Sequence, residues 1–485
     1  MTTCNNWQPP REPVATTNRQ RPGPRRKQLL ALTVAIALPL MKISRALGEE
    51  NDVGYRKGYY REDDGRMRIS TDTWQFNLGI KDNIRVNGEV IVDGISGATP
   101  NGAPPQTQWP INTFSQSYSQ NYGQNYGQLF INEVNDPANQ TLYTAGLFGA
   151  VGDPAAYQAY TNYVATLNPA QLANQASNAV YTAYNSLTNH PNYHHNKVPL
   201  AEMHDHRNAF SIQMPMTFGL HSITPSFAYS AESDYISFGG ALNYSLALND
   251  KNTTLSAGWG HNSDSVRDDL GIWENKMTDN AFLGLVQLFG PKAYLTVNAS
   301  VGFEHGYLAD PYREVFFANV PQSSFDDPQG NGNPEVRPRH RNNQILYTSW
   351  TQFVTPLNGS FELSYRFFHD SYGIFAHTAE LDWHQKIGKH LVISPTFRYY
   401  VQNAADFYYV MVPDVNHPPS FYSSDYRLSQ METFATGVSL TWRVQKHLSL
   451  DVSYLRYVMQ GLDGVTSQSA YPAANLVSFG ARIWF

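Results

Sequence analysis

Histidine side chains are concentrated in one stretch of this chain, and imidazole is the side-chain group that most often binds transition metals. Five of the 15 histidines fall between positions 190 and 206, namely His190, His194, His195, His204 and His206. Their spacing matches no fixed tetrahedral site, so a metal would need neutral imidazoles together with a carboxylate. Two interpretations stay open, a transition-metal site and a solvated histidine-rich loop.

A second stretch places an acidic residue, two glycines and hydroxyl groups directly after a predicted strand over 84–92. It reads Asp93-Gly94-Ile95-Ser96-Gly97-Ala98-Thr99-Pro100. Taken alone, this is a glycine-rich exit from a strand, with a proline that prevents the strand from continuing.

The same stretch resembles the flavinylation motif of flavin-bearing subunits of sodium-pumping and related membrane reductases. In that motif, Asp-x-x-Ser/Thr-Gly-Ala-Thr, flavin mononucleotide (FMN) is attached to the threonine hydroxyl through a phosphoester. The resemblance implies that Thr99 is the acceptor of FMN and Asp93 the acidic recognition residue. It further implies that the small residues Ser96, Gly97 and Ala98 let a transferase approach the backbone. It also implies a periplasmic flavin transferase and a redox partner. Because the strand order places Thr99 at the outer rim, attachment would precede membrane insertion.

Charge and motif content argue against two other classes of function. The net charge of −6 offers no basic surface for a nucleic acid. Adjacent pairs such as His369 and Asp370 point to opposite faces of a strand, so they form no catalytic relay by themselves. No catalytic constellation is found, and an enzyme is the less favoured class.

Four polar residues of the first predicted strands lie at odd-numbered positions, so they point to the same face of the sheet. Arg85, Asn87, Glu89 and Asp93 alternate with apolar residues or glycine. Mixed charges that face a lumen can select solutes by dipole and size. The alternative is a network of salt bridges that fills a narrow barrel.

Period-two alternation runs through much of the remaining chain and predicts two-faced strands. In the last strand, Val477, Phe479, Ala481, Ile483 and Phe485 share the apolar face. A terminal phenylalanine preceded by alternating apolar residues resembles the signature by which outer-membrane barrels are recognised, and it implies the barrel assembly machinery as a partner. Short turns alternate with long polar links, which is typical of such barrels. We therefore predict an all-β fold, a transmembrane antiparallel β-barrel of about 16 strands in contact with outer-membrane lipid.

The N-terminal segment has the features of an export signal. Basic residues between 21 and 27 precede an apolar run over 29–41, and small residues follow. Such a run is too short to cross a bilayer as a helix, so residues 1–46 are predicted to be a cleaved signal peptide with its basic leader. The chain's one cysteine, Cys4, would be lost with it.

A long insert interrupts the strand pattern. Residues 47–99 are predicted to form the first barrel strands, 100–206 a loop insert, and 207–485 the rest of the barrel. The first part of the insert, over 115–128, repeats Asn-Tyr-Gly-Gln and is predicted to be disordered. Asp153-Pro154 and Asn168-Pro169 then supply two helix starts, so the insert is expected to be partly helical.

Several segments together resemble an uncharacterised family of bacterial outer-membrane barrels, a domain of unknown function. They are Tyr59-Tyr60-Arg61-Glu62-Asp63-Asp64-Gly65-Arg66, the segment Val92–Pro100, Asp205-His206-Arg207, Tyr229-Ser230-Ala231-Glu232-Ser233-Asp234-Tyr235 and Asp310-Pro311-Tyr312-Arg313. The resemblance implies the bacterial outer membrane without naming a substrate. The sequence thus favours a pore or structural barrel that needs no cofactor, and the alternative is an extracytoplasmic electron-transfer component with covalent FMN on Thr99.

Overall fold

A computed structural model describes residues 51–102, 198, 200–317, 333–413 and 417–485. The predicted signal peptide, most of the insert, and His190, His194 and His195 lie outside these residues. The signal peptide, the partly helical insert and a role for these three histidines in metal binding stay predictions.

The described chain consists almost entirely of strands. In chain order they are β1 (Asp52–Glu62), β2 (Met67–Lys81), β3 (Ile84–Pro100), β4 (Leu200–Gln213), β5 (Met216–Phe218), β6 (His221–Ala231), β7 (Tyr235–Leu248), β8 (Thr253–Arg267), β9 (Trp273–Leu288), β10 (Ala293–Gly306), β11 (Glu314–Phe317), β12 (Asn333–Pro334), β13 (His340–Val354), β14 (Gly359–Asp370), β15 (Phe375–Ile387), β16 (Leu391–Gln402), β17 (Met411–Val412), β18 (Met431–Gln445), β19 (Leu448–Gly461) and β20 (Ala473–Trp484). Short 3₁₀ turns lie at Asp63–Gly65, Thr355–Leu357, Tyr426–Leu428 and Gln468–Ala470. Because β4 begins at Leu200, residues 200–206 belong to the barrel and not to the insert.

The main sheet closes on itself. Tyr55 of β1 is paired with Trp74 of β2 on one side and with Ala481 of β20 on the other. The sheet contains 17 strands, and β5 continues β4 against β3 and β6, so the ring counts sixteen. All of its neighbours are antiparallel, which confirms the predicted fold and strand number. Closure leaves no unpaired sheet edge, as a membrane-spanning sheet requires.

The two faces of the barrel wall differ as the alternation predicted. The outward residues Phe479 and Ile483 of β20, and Phe485 directly after it, are more than half exposed, whereas Ser478 is buried inside. Similar apolar residues are exposed on the outer faces of β10 and β18, among them Phe303 and Trp442. An exterior that is largely apolar, although pairs such as Lys57 with Asp72 interrupt it, is what lipid, not water, would cover.

The two ends of the barrel have different connections. At one end, here called the short-turn end, the links are as brief as 82–83, 219–220 and 446–447, and both described termini lie there because Asp52 pairs with Trp484. At the other, the long-loop end, the links include 101–199, 307–339 and 403–430. Link 307–339 and link 403–430 are joined by β11, which pairs with both β12 and β17.

These two links fold into the lumen. Ala376 faces inward on β15, and it lies in one buried hydrophobic cluster with Phe407 and Leu428 of link 403–430. Tyr312 of link 307–339 packs with Tyr60 of β1 and Met203 of β4 in another. The long-loop end therefore contains a second layer of buried residues inside the ring.

Candidate functional site

Buried charged residues gather where the inward links meet the barrel wall. Among the described residues that are less than a tenth exposed are Glu62, Asp93, Asp205, Asp234, Arg313, Glu335 and Asp425. Buried charges are costly unless they are paired or bind an ion. The presence of many buried charged residues in one region therefore marks a candidate site.

Arg313 connects the wall to both links. Its Nη2 donates a hydrogen bond of 3.3 Å to Oγ1 of Thr99 on β3. Its Nε lies 3.4 Å from a carboxylate oxygen of Asp310 and 3.6 Å from one of Asp425. The guanidinium also lies 5.4 Å from the ring centre of Tyr426. Arg313 is only 3% exposed, so these contacts are made away from water.

Asp425 is the point at which three arginines converge. Besides the contact with Arg313, it accepts hydrogen bonds of 2.8 Å from Nη2 of Arg337 and 2.9 Å from Nε of Arg427. Burial by itself would raise the pKa of Asp425, but Arg427, Arg313 and Arg337 together hold that pKa well below its usual range. Asp425 is therefore ionised throughout the physiological pH range.

The remaining acidic groups balance the arginines. Nε of Arg337 lies 2.7 Å from Glu335, and Arg427 also contacts Asp310. We call this set the mouth network: Asp310, Arg313, Glu335, Arg337, Asp425 and Arg427. It contains three cations and three carboxylates, so its charges cancel while they hold the two links together.

A second group, next to the mouth network, is acidic. Carboxylate oxygens of Asp205, Glu232 and Asp234 all lie within 4.8 Å of one another, and this set is called the acidic cluster. Asp205 accepts hydrogen bonds from the backbone N–H groups of His206 at 2.6 Å and of Ser233 at 3.5 Å. Carboxylates so close together can hold a hard divalent cation or share a proton.

The acidic cluster favours bound protons when no cation is present. Burial raises the pKa of Glu232 to about 8, and neighbouring carboxylates add to the effect against the attraction of Arg207. Burial likewise raises the pKa of Asp234 to about 6, although the hydroxyl of Tyr312 donates a hydrogen bond to it. Tyr312 thereby links the acidic cluster to Arg313 of the mouth network.

The predicted flavin segment borders both groups. Asp93 is fully buried, and its Oδ2 accepts a hydrogen bond of 2.6 Å from Nε of Arg207. Thr99 is 3% exposed and faces inward, whereas the strand alternation turns Ser96 and Ala98 to the outer face. Asp93 and Thr99 therefore meet different partners, the first near the acidic cluster and the second at Arg313.

Gly97 has a structural role in this segment. It adopts a φ of +130°, and a Cβ atom there would lie 1.8 Å from the carbonyl oxygen of Arg66. The same carbonyl accepts a hydrogen bond of 2.7 Å from the backbone of Ala98. Only glycine permits this approach of β2 to β3.

The histidines near 200 are not drawn into the buried region. His204 and His206 lie in β4 with their side chains exposed, whereas Asp205 between them is buried inside. The structure thus groups Asp205 with Glu232 and Asp234, not with these histidines. A transition-metal site that includes His190, His194 and His195 stays a prediction.

The polar residues at alternate positions of β3 form hydrogen bonds with a neighbouring strand of the barrel wall. Glu89 accepts a hydrogen bond of 2.6 Å from Gln75, and Nε of Arg85 donates one of 2.9 Å to Asn77. These contacts are hydrogen bonds between neighbouring strands and not salt bridges, so both interpretations of that pattern stay open.

The five segments that carried the family resemblance all contribute to this end of the lumen. Glu62 is buried here, and it lies 3.4 Å from Arg66. The others supply Asp93 and Thr99, Asp205 and Arg207, Glu232 and Asp234, and Asp310, Tyr312 and Arg313. Sequence reasoning did not identify Arg313, Glu335, Arg337, Asp425 or Arg427 as site residues, and a motif spread over distant links gives no local signal.

A closed antiparallel ring with an apolar exterior and polar interior defines the class of protein, a β-barrel of the outer-membrane type. The chain belongs to the DUF3570 family, a family of unknown function, whose model matches residues 29–273 and 268–474. Among curated proteins, none matches the sequence. In the part of the chain that the structure describes, no helix is long and apolar enough to cross a membrane.

Several solved outer-membrane proteins are similar to this chain at low identity. The siderophore receptor PirA from Pseudomonas aeruginosa is 8% identical with a TM-score of 0.37, and the match covers 89% of this chain and 61% of the receptor. A bacterial polysaccharide outer membrane secretin is 7% identical with a TM-score of 0.40, covering 90% and 99%. OmpT from Vibrio cholerae, in a form lacking loop L8, is 9% identical with a TM-score of 0.36, covering 90% and 98%.

Proposed function

We propose that the protein is a passive or weakly selective pore of the bacterial outer membrane, narrowed at its long-loop end by the two inward links. The observation that carries the proposal is the closed ring of sixteen strands whose inner face is polar, because a ring of this size encloses an aqueous lumen. Below the links the wall is lined by polar pairs such as Arg56 and Asp451, which lie 2.9 Å apart.

The mouth network would set how open this pore is. Link 403–430 is anchored through Asp425, which contacts three arginines. Removing the charge of the Asp425 carboxylate would leave three buried guanidinium groups that repel one another. Asp425→Asn should therefore release the links and increase single-channel conductance in planar bilayers. Asp451→Asn is the matched control, because it removes one lumen carboxylate without touching either link, and its conductance should stay near that of the unaltered protein.

Conductance decides between a pore and a barrel with a purely structural role. A structural barrel would conduct no ions in either the unaltered protein or the Asp425→Asn variant. If Asp451→Asn opened the channel as much as Asp425→Asn, lumen charge and not the links would control the passage.

A covalently flavinylated electron-transfer component is the second candidate, and one contact favours it. Nη2 of Arg313 lies 3.3 Å from the Thr99 hydroxyl, and neither its Nε nor its Nη1 has a hydrogen-bond acceptor within the described residues. A phosphoester on Thr99 would bring anionic oxygens to this guanidinium. Because Thr99 is 3% exposed, attachment would have to take place before the barrel closes.

The flavin proposal has a direct test. The full chain is co-expressed with a periplasmic flavin transferase, and intact mass is measured together with flavin fluorescence in a denaturing gel. The unaltered protein and Thr99→Ser should carry the added mass of FMN, and Thr99→Ala should not. An unmodified mass for the unaltered protein, or fluorescence that persists in Thr99→Ala, would reject it.

A further inference from the structure

A row of polar residues crosses the outer face of five neighbouring strands at the long-loop end. Strand register pairs Asn475 of β20 with Arg61 of β1, Arg61 with Arg68 of β2, Arg68 with Ser96 of β3, and Ser96 with His204 of β4. Alternation turns all five away from the lumen, and Arg61, Arg68 and His204 are exposed. We call them the outer polar row.

The two arginines of the outer polar row are direct cross-strand partners of the same charge. Such a pair is destabilising by itself. Neither Arg61 nor Arg68 forms an ion pair with any residue that the structure describes, and Asp63 of the adjacent turn is bound by Arg456 through hydrogen bonds of 2.8 and 2.6 Å. A further anion would relieve the repulsion between the two guanidinium groups.

The position of the row indicates where that anion comes from. Towards the short-turn end the same outer faces carry one further ion pair, Lys57 with Asp72. Beyond that pair they turn apolar, with Trp74, Val90 and Phe210 between 41% and 46% exposed. Lipid chains cover such a surface, so the outer polar row lies at the level where the chains end and the headgroups begin. A guanidinium pair at this level meets lipid phosphate.

We propose that the outer polar row binds phosphate groups of an anionic lipid in the outer leaflet. Arg61 and Arg68 supply forked N–H donors that match phosphate oxygens, and the Ser96 hydroxyl and the His204 ring extend the set of donors along the row. His206 lies beside them, since its ring is 3.8 Å from the Cβ position of Gly94 on the neighbouring strand. The arginines would repel a metal cation from this face, which separates the proposal from a histidine metal site.

The experiment uses native mass spectrometry of the full mature protein in detergent. The probes are a glycolipid with two phosphates (lipid A), the same glycolipid without phosphate, and inorganic phosphate. The unaltered protein should retain the phosphorylated glycolipid and not the other two. Arg61→Gln with Arg68→Gln should weaken that binding by at least about tenfold, because the variant loses both guanidinium groups that pair with phosphate.

A charge-matched variant serves as the control. Arg267→Gln with Arg339→Gln also removes two exposed arginines at the long-loop end and should bind the phosphorylated glycolipid like the unaltered protein. Equal loss in both double variants would show a general charge effect and overturn the site. Equal retention of the phosphate-free glycolipid would assign the binding to the lipid chains, and equal binding of inorganic phosphate would overturn the lipid assignment. Both double variants should keep the heat-modifiable mobility of a folded barrel, because none of these side chains is buried.

Discussion

Arg313 and Thr99 are 214 positions apart in the chain, yet Nη2 of Arg313 lies 3.3 Å from Oγ1 of Thr99 inside the barrel. The contact fixes link 307–339 to the wall strand β3. Because Arg313 also lies close to Asp310 and Asp425, one guanidinium joins the wall to both inward links. A few buried charges thus hold both links against the inner wall at the long-loop end.

Replacing Arg313 by alanine should destabilise the long-loop end strongly. Removing one partner of a buried charge network leaves the others uncompensated and costs about 3–5 kcal/mol. Urea unfolding of the protein in lipid vesicles measures this free energy. Arg339→Ala is the control, because its side chain is 67% exposed and its nearest carboxylate is 3.8 Å away, so about 1 kcal/mol or less is expected. Similar losses in the two variants would contradict the central role of Arg313.

Tyr312→Phe should separate the acidic cluster from link 307–339. The Tyr312 hydroxyl donates a hydrogen bond to Asp234, and that bond lowers the pKa of Asp234 against the effect of burial. Its loss should raise this pKa further and cost about 1.5–3 kcal/mol at neutral pH, the usual range for a hydrogen bond to a charged group.

Tyr365→Phe provides the comparison for Tyr312→Phe. Its hydroxyl contacts His377 at 2.7 Å on the outer face of the wall, where a hydrogen bond within lipid contributes about 0.6 kcal/mol on average, so the free energy of unfolding in urea should fall less than in Tyr312→Phe. An unchanged stability in Tyr312→Phe would mean that link 307–339 does not depend on the acidic cluster.

The wall of the barrel follows from local sequence, because alternate residues of a strand point to opposite faces. Phe479 and Ser478 are adjacent in the chain, and the parity that predicted one outside and the other inside is confirmed. Turn residues fixed the short links in the same way. Strand number could therefore be counted before any tertiary contact was known.

The interior of the long-loop end could not be predicted in this way. Asp425 and Arg337 are 88 positions apart, and nothing near either residue indicates that the links fold inward. His204 and His206 look like part of a histidine-rich loop, yet they continue a strand because Leu200 already pairs with Pro100. Gly97 is needed because of Arg66 on another strand, a contact that the segment itself does not reveal.

The acidic cluster should make the stability of the protein fall as the pH rises. The pKa of Glu232 is raised to about 8 and that of Asp234 to about 6, so between pH 4.5 and 8 the folded state binds more protons than the unfolded state. The free energy of unfolding then decreases across this window and levels off above it. Melting temperatures in detergent with a chelator present measure the slope.

Glu232→Gln tests which group causes that slope. An uncharged side chain cannot release a proton, so the decrease in melting temperature between pH 5 and 8 should become shallower. Glu202→Gln removes an exposed carboxylate of β4 nearby and should keep the original slope. If both variants kept the original slope of melting temperature against pH, the pH dependence would originate elsewhere in the barrel.

Gly97→Ala should cost far more stability than Gly94→Ala, although both glycines lie on β3 three positions apart. At Gly97 the φ of +130° is strained for any other residue, and a Cβ atom would lie 1.8 Å from the Arg66 carbonyl. The strain costs about 1–3 kcal/mol by itself, and displacement of the backbone adds to it. At Gly94 the nearest atoms are 3.8 Å away, so alanine fits. Urea unfolding in vesicles compares the two variants, and equal free energies would mean that the start of β2 does not lie against Gly97.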